Sequence, residues 1–331
     1  MRSSTFELGL KTLHASTRSS LVAKSLTLSR HFLWVVGFPL FLSASTSETR
    51  LKSPPKIISS HSKSSKWARN VSKKPGTEPL FKNLHPVRNL AFISKLTETA
   101  VADQLQSHMS CHGLYPVLQS AYRRHHSSET ALLKVRNDIL LNMNKQHVTL
   151  LVLLDLSAAF DTVNHEILLE SMTSKLGIGG TVLSWFRSYL SGRSHRIAVD
   201  HKLSKSFHLD CGVQQGSCLG PLLFNIYSSS LIEIVEVHLP EVHSYADDSQ
   251  LYLSFSPGNS LCQDAAVSAM EACIADIKKW TQQNSLMLND DKTQFIVIGT
   301  RQQLAKVNVT SIRVGNHLIT KSRSVRNLGT W

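Results

Sequence analysis

Residues 148–154, VTLLVLL, narrow what this chain can become more than any other stretch. Six of the seven side chains are apolar and none alternates with a charge, so a strand with one wetted face is excluded. The run reads as a strand covered on both faces, which places it at the centre of a sheet. It ends at Asp155. A carboxylate there stands near the protein interior, where an unpaired charge is costly, so it calls for a partner of opposite sign.

The flanking sequence supplies the covering layers. LAFISKLTETAVADQLQSHM (90–109) and SSETALLKVRNDILLNMNK (127–145) have helical apolar spacing, and the second predicts a core-facing stripe of Leu132, Leu133, Val135, Ile139, Leu140 and Met143. HEILLESMTSKLG and GTVLSWFRSYLSG predict helices stopped by Gly177 and Gly192. HRIAV and SFHLDCGV predict a hairpin, and Pro221 suits the first turn of a helix over PLLFNIYSSSLIEIV. DAAVSAMEACIADIKKW carries Val267, Met270, Ile274 and Ile277 on one stripe, the pattern of a helix lying on a sheet. KTQFIVIGT follows as a strand and IRVGNHLI as a short hairpin. The expected class is α+β: an antiparallel sheet backed by helices. At 331 residues with 42% hydrophobic content, the chain can bury a core of that kind.

A second carboxylate feature bears on Asp155. VHSYA (242–246) and SQLYLSF (249–255) read as strands joined by a two-residue turn, Asp247-Asp248. Neither turn residue is glycine, and adjacent negative charges repel. If that hairpin lies beside the 148–154 strand, three carboxylates converge with no Lys or Arg in the same segments. A hard divalent cation solves the problem, since Mg²⁺ is held by one or two carboxylates together with substrate phosphates. Two such ions would activate an attacking hydroxyl and stabilise the leaving oxygen of a phosphoryl transfer. Taken singly, each site also fits a turn-capping Asp155 and a solvated Asp247-Asp248 loop tip, because Asp is common in turns.

Overall charge is less informative than its placement. The net charge is +13, but residues 1–75 hold 13 Lys or Arg against only Glu7 and Glu48. The remaining 23 basic and 21 acidic residues nearly balance, so basicity alone does not argue for a polyanionic partner. Residues 1–71 read as a basic, Ser-rich leader without a fold of its own. Its apolar island, FLWVVGFPLFL, has eleven residues interrupted by Pro39, short of the ~20 a membrane span needs. Cys111, Cys211, Cys218, Cys262 and Cys273 show neither a C-x-x-C pair nor zinc-like spacing, which suits reduced thiols of an intracellular protein, nuclear or cytoplasmic rather than secreted.

From about residue 72 onward the chain resembles the reverse transcriptase domain of non-LTR (LINE-type) retrotransposons. LLVLLDLSAAFDTVNH looks like the first palm motif of that family, GVQQGSCLGPLLFNIY like the G-V-P-Q-G-S motif, and YADDSQLYL like the metal-binding F/Y-A-D-D motif. LNDDKTQF is similar to the lysine segment, VRNLG to the start of the primer grip, and LQSAYRRHHSSETALLKV and KKPGTEPLFKNLHPVRNLAFISKL to the stretches before the palm. Seven motifs in the family's order make the resemblance specific. It implies a right-hand polymerase, with fingers at about 72–146 and palm at about 147–331, copying an RNA template into DNA from a DNA primer and dNTPs.

By position, the resemblance makes Asp155 and Asp247 ligands of two Mg²⁺ ions, with Mn²⁺ an alternative, and Asp248 the third member of the acidic cluster. It places Phe160 as the gate beneath the sugar, Gln215 and Gly216 against the incoming nucleotide, and Lys292 near the leaving pyrophosphate. Arg123 and Lys74 read as triphosphate or template-backbone contacts, with a solvated surface charge the alternative for each. Three positions depart from the family: His85 stands for an arginine, Arg88 for a serine, and Gln214 for the proline of G-V-P-Q-G. A neutral imidazole lacks the permanent charge and fork of arginine. The thumb is also expected to be largely missing, so a catalytically weak nucleic-acid-binding remnant is the alternative reading.

Overall fold

The computed structural model describes residues 92–330 apart from 196, 197, 200, 201, 204, 215 and 240. The leader and two nucleotide-binding candidates, Lys74 and Gln215, therefore lie outside the described residues, as do His85 and Arg88. The chain divides into two units that interleave along the sequence: Met1–Leu114 with Asn164–Gly220, and Tyr115–Val163 with Pro221–Trp331. In chain order the elements are α1 (Phe92–Cys111), α2 (Ser128–Asn144), β1 (Val148–Leu154), β2 (Leu156–Ser157), α3 (His165–Leu176), α4 (Gly180–Leu190), β3 (Arg193–His195), β4 (Ala198–Val199), β5 (Lys202–Leu203) and β6 (Phe207–Leu209). Then follow α5 (Gly220–His238), β7 (Glu241–Tyr245), β8 (Asp248–Phe255), α6 (Ser260–Gln283), β9 (Met287–Leu288), β10 (Gln294–Ile298), α7 (Arg301–Leu304), β11 (Ser311–Val314) and β12 (His317–Thr320).

The second unit is built on a four-stranded antiparallel sheet in the order β10-β1-β8-β7. VTLLVLL is an inner strand of that sheet, as its composition requires, and Leu150 and Val152 are fully buried. Leu151 pairs with Tyr252 on one side and Ile296 on the other, and these join Leu153 and Ile298 beneath Val135 and Ile139 of α2. The opposite face carries Leu150, Val152, Leu251, Leu253, Phe295 and Val297, all buried. The α6 stripe of Met270, Ile274 and Ile277 is buried, and that helix contacts β8. Ser127 caps α2 reciprocally with Thr130.

Two expectations need correction. Leu133 and Leu140 of α2 are 60% and 47% exposed, because the sheet takes only the narrow stripe through Ala131, Val135 and Ile139. The hairpin expected from HRIAV and SFHLDCGV pairs through Arg193–His195 with Phe207–Leu209, while Ala198 and Val199 pair instead with Leu203 and Lys202.

The first unit gathers α1, α3, α4 and the loop leading into α5. Gly177 closes α3 in the left-handed region, at φ 67°. The buried Glu98 of α1 accepts hydrogen bonds from the Tyr189 hydroxyl at 2.9 Å and from the Cys218 backbone N–H at 2.9 Å. Burial and the Glu98 charge push the Tyr189 hydroxyl pKa upward. None of the five cysteines is in a disulfide, and no helix among the described residues is long and apolar enough to cross a membrane.

Candidate active site

Strand pairing sets the site. The register Leu154↔Ser249 between β1 and β8 leaves Asp155, one residue past β1, beside the start of β8, where Asp248 stands. β7 and β8 close at Tyr245↔Asp248, so the two-residue turn is Ala246-Asp247. This corrects the expected turn by one position: Asp248 is the first residue of β8. Ala246 takes φ 59°, a backbone region that residues with a Cβ rarely adopt. The turn that works against its own sequence is strained at the alanine, and its two acids are divided between turn and strand.

All three carboxylates lie within one another's electrostatic reach. Asp247 is pushed above the ordinary carboxylate range, chiefly by burial and further by the charge on Asp155. Asp248 is pushed up to about 6 by burial and then by Asp247 and Asp155. In both cases Lys292 pulls the other way.

The lysine arrives by a second pairing. β2, just past Asp155, pairs with β9, and the Asn289 N–H donates to the Asp155 carbonyl at 2.9 Å. The chain then turns, and Asn289 Nδ2 and Lys292 Nζ both donate to Asp155 Oδ2, at 3.2 and 3.1 Å. Among the described residues Lys292 thus faces three acids, two of which keep a pKa raised chiefly by burial and further by the charge of neighbouring acids. Lys292 is 67% exposed, so its bond to Asp155 is worth at most about 1 kcal/mol and yields readily to a competing cation. Among the described residues no three His, Cys, Asp or Glu side chains are drawn tightly enough to hold a metal ion as they stand. The donor set nonetheless suits a hard divalent cation: all oxygen, acidic, and repelling itself.

The remaining candidates are placed as follows. Phe160 is half-buried and stacks on Phe224 of α5, ring centroids 4.7 Å apart, in the same unit as the acids. Arg123 is also in that unit, its guanidinium 5.2 Å from the centre of the Tyr115 ring. Its neighbour Tyr122 has φ 57° and a hydroxyl pKa raised mainly by burial and then by the charge of Asp247. Gly216 belongs to the other unit and takes φ 88°, where glycine alone is at ease. Two residues before it, the buried side-chain oxygen of Gln214 has no hydrogen-bond partner among the described residues. A Cβ on Gly220 would stand 2.7 Å from the Gln214 carbonyl oxygen, so that turn admits only glycine there.

Sequence reasoning missed two residues. Asn289 lies inside the quoted LNDDKTQF segment, but only the β2–β9 pairing shows that it reaches Asp155. Gln119 precedes the RRHH cluster and reads as an ordinary polar residue. It is 3% exposed and bonds to both backbone polar groups of Ala246.

Residues 71–331 match the family model described as "Reverse transcriptase (RNA-dependent DNA polymerase)". Among curated proteins, the chain is 28% identical over 225 residues to the "Probable RNA-directed DNA polymerase from transposon BS" of Drosophila melanogaster, covering 66% of this chain and 24% of that protein. It is 26% identical to the "RNA-directed DNA polymerase from mobile element jockey" of Drosophila funebris, with 66% and 24% covered. The chain thus spans about a quarter of the length of these relatives. Among solved structures, a C-terminally truncated apo telomerase from Candida tropicalis aligns at TM-score 0.47 and 14% identity, over 72% of this chain and 44% of that one.

Proposed function

Since the chain belongs to the reverse transcriptase (RNA-dependent DNA polymerase) family, we propose that it extends a DNA primer on an RNA template by nucleotidyl transfer from dNTPs. The observation that carries the proposal is the acidic cluster of Asp155, Asp247 and Asp248 at adjoining strand ends, with the exposed Lys292 bonded to Asp155 beside them. Asp155 and Asp247 would hold two Mg²⁺ ions, or Mn²⁺, and Asp248 would complete the negative field. When bound, the ions lower the pKa of the primer 3′-hydroxyl and neutralise charge developing on the phosphate.

The side chains have separate tasks. Lys292, whose ammonium is exposed beside Asp155, would meet the leaving pyrophosphate and donate a proton to it. Phe160, fixed by its stack on Phe224, presents a flat wall against the sugar and would exclude a 2′-hydroxyl by contact. Arg123 would bind phosphate oxygens through its fork. Gln215, Gly216 and Lys74 complete the proposed nucleotide contacts, Gly216 by allowing close backbone approach. In this reading residues 72–331 form the polymerase domain, fingers to about 146 and palm beyond, following the leader at 1–71.

Primer extension on an RNA template with Mg²⁺, comparing the parent chain with Asp247→Asn, tests the proposal. The substitution should lower extension by at least about a hundredfold, an effect of the size seen when one charge-stabilising group is removed. Equal incorporation by both would remove the claim. Salt-sensitive binding without extension by either would leave only a nucleic-acid binder.

A further inference from the structure

We infer that Gln119 is a positioning residue that clamps the strained turn carrying Asp247. The catalytic consequence rests on the polymerase reading above; the clamp itself does not.

Three contacts define it. Gln119 Oε1 accepts the Ala246 N–H at 3.1 Å, Gln119 Nε2 donates to the Ala246 carbonyl at 3.4 Å, and the same Oε1 accepts the Ala121 N–H at 3.0 Å. Ala246 needs such help more than its neighbours. It is buried, so water does not satisfy its backbone groups, and it is held at φ 59° without being glycine. A partner that bonds both its N–H and its C=O favours this one conformation over the relaxed ones.

The clamp is itself rigidly mounted. Gln119 bridges in parallel to Ser244 at the outer edge of β7, with Ser120 N–H donating to the Ser244 carbonyl at 3.0 Å and Ser244 N–H to the Leu118 carbonyl at 2.9 Å. Ser120 Oγ and His243 Nε2 lie 3.0 Å apart, and Asn225 Nδ2 donates to the Ala121 carbonyl at 2.7 Å. Through Ala121, Gln119 also fixes the start of the Tyr122–Arg123 segment. One amide therefore ties a phosphate-binding candidate to the turn bearing a metal-binding candidate. Asp247 is adjacent to Ala246, so any relaxation of Ala246 re-aims its carboxylate.

The test uses the full chain and two readouts. Amide hydrogen exchange at Ala246 reads the clamp directly, and Mn²⁺ affinity reads its effect on the acids. Gln119→Ala should speed Ala246 exchange about tenfold beyond any global change, the scale of one lost hydrogen bond, and weaken Mn²⁺ binding by a similar factor. In an Ala246→Gly background, where the left-handed conformation is free, Gln119→Ala should weaken Mn²⁺ binding less than about threefold, a coupling that a merely structural role would not produce. Gln119→Glu keeps the shared acceptor and should retain protection at Ala246 and Ala121, which keeps the test open if Gln119→Ala does not fold. Unchanged exchange at Ala246 in Gln119→Ala, equal Mn²⁺ losses in both backgrounds, or loss of Ala246 protection in a folded Gln119→Glu would each overturn the inference. A parent chain that binds no Mn²⁺ counts against the polymerase reading instead, and exchange at Ala246 then decides the clamp alone.

Discussion

Asp248 shows how a residue of the proposed site can oppose folding. Its pKa is raised to about 6 from an ordinary value of 3.8. Between those values the folded chain holds a proton that the unfolded chain has released, so stability falls as pH rises through that window. Above about pH 6 the full penalty applies. Without divalent cation, Asp248→Asn should therefore be more stable than the parent at pH 7.5 by about 1 kcal/mol, allowing for solvent screening of a partly exposed group. Below pH 4 the two should be equal, and adding Mg²⁺ at pH 7.5 should narrow the gap. Thermal unfolding at the two pH values checks all three outcomes.

Single elements are held by features of different legibility. The capping box of Ser127 and Thr130 could be anticipated from a serine preceding an apolar-periodic stretch; Ser127→Ala should cost about 1 kcal/mol in chemical denaturation. Glu98 gave no such sign, since a glutamate among threonines on a helix reads as a solvated face. In the fold it is 2% exposed and accepts from Tyr189 and Cys218. Glu98→Ala would remove the buried carboxylate to which the Tyr189 hydroxyl and the Cys218 N–H both donate and should cost roughly 1–2 kcal/mol, measured in the same way. The leucine stripe of α2 failed for the opposite reason. Its periodicity was correct, but periodicity does not say how much of a helix's circumference a sheet will cover.

For the whole molecule, composition and topology speak to different properties. Beyond residue 75 the charges nearly cancel, so nucleic-acid affinity from phosphate contacts should come disproportionately from the 13 basic residues before it. Binding of the full chain to a single-stranded oligonucleotide should weaken at least tenfold from 50 to 200 mM salt, roughly the effect of a few phosphate contacts. Asp247→Asn should bind with the same salt slope while losing extension, because it removes an acid and none of the cations that contact phosphate. Fluorescence anisotropy at several salt concentrations separates the two.

The sequence by itself determined the central strand, the α+β class and the identity of the candidate acids. Each depends on local signals: an unbroken apolar run, helical spacing, and aspartates where a turn would favour glycine. Tertiary structure decided which residues serve those acids. Asn289 and Lys292 reach Asp155 only because β9 pairs with β2, and Gln119 reaches Ala246 only because its segment runs along β7. It also moved the turn by one residue, because register is fixed by pairing along whole strands and not by the two residues at the bend. Contacts between residues more than a hundred positions apart leave no periodic trace in either partner, so only the folded chain reveals them.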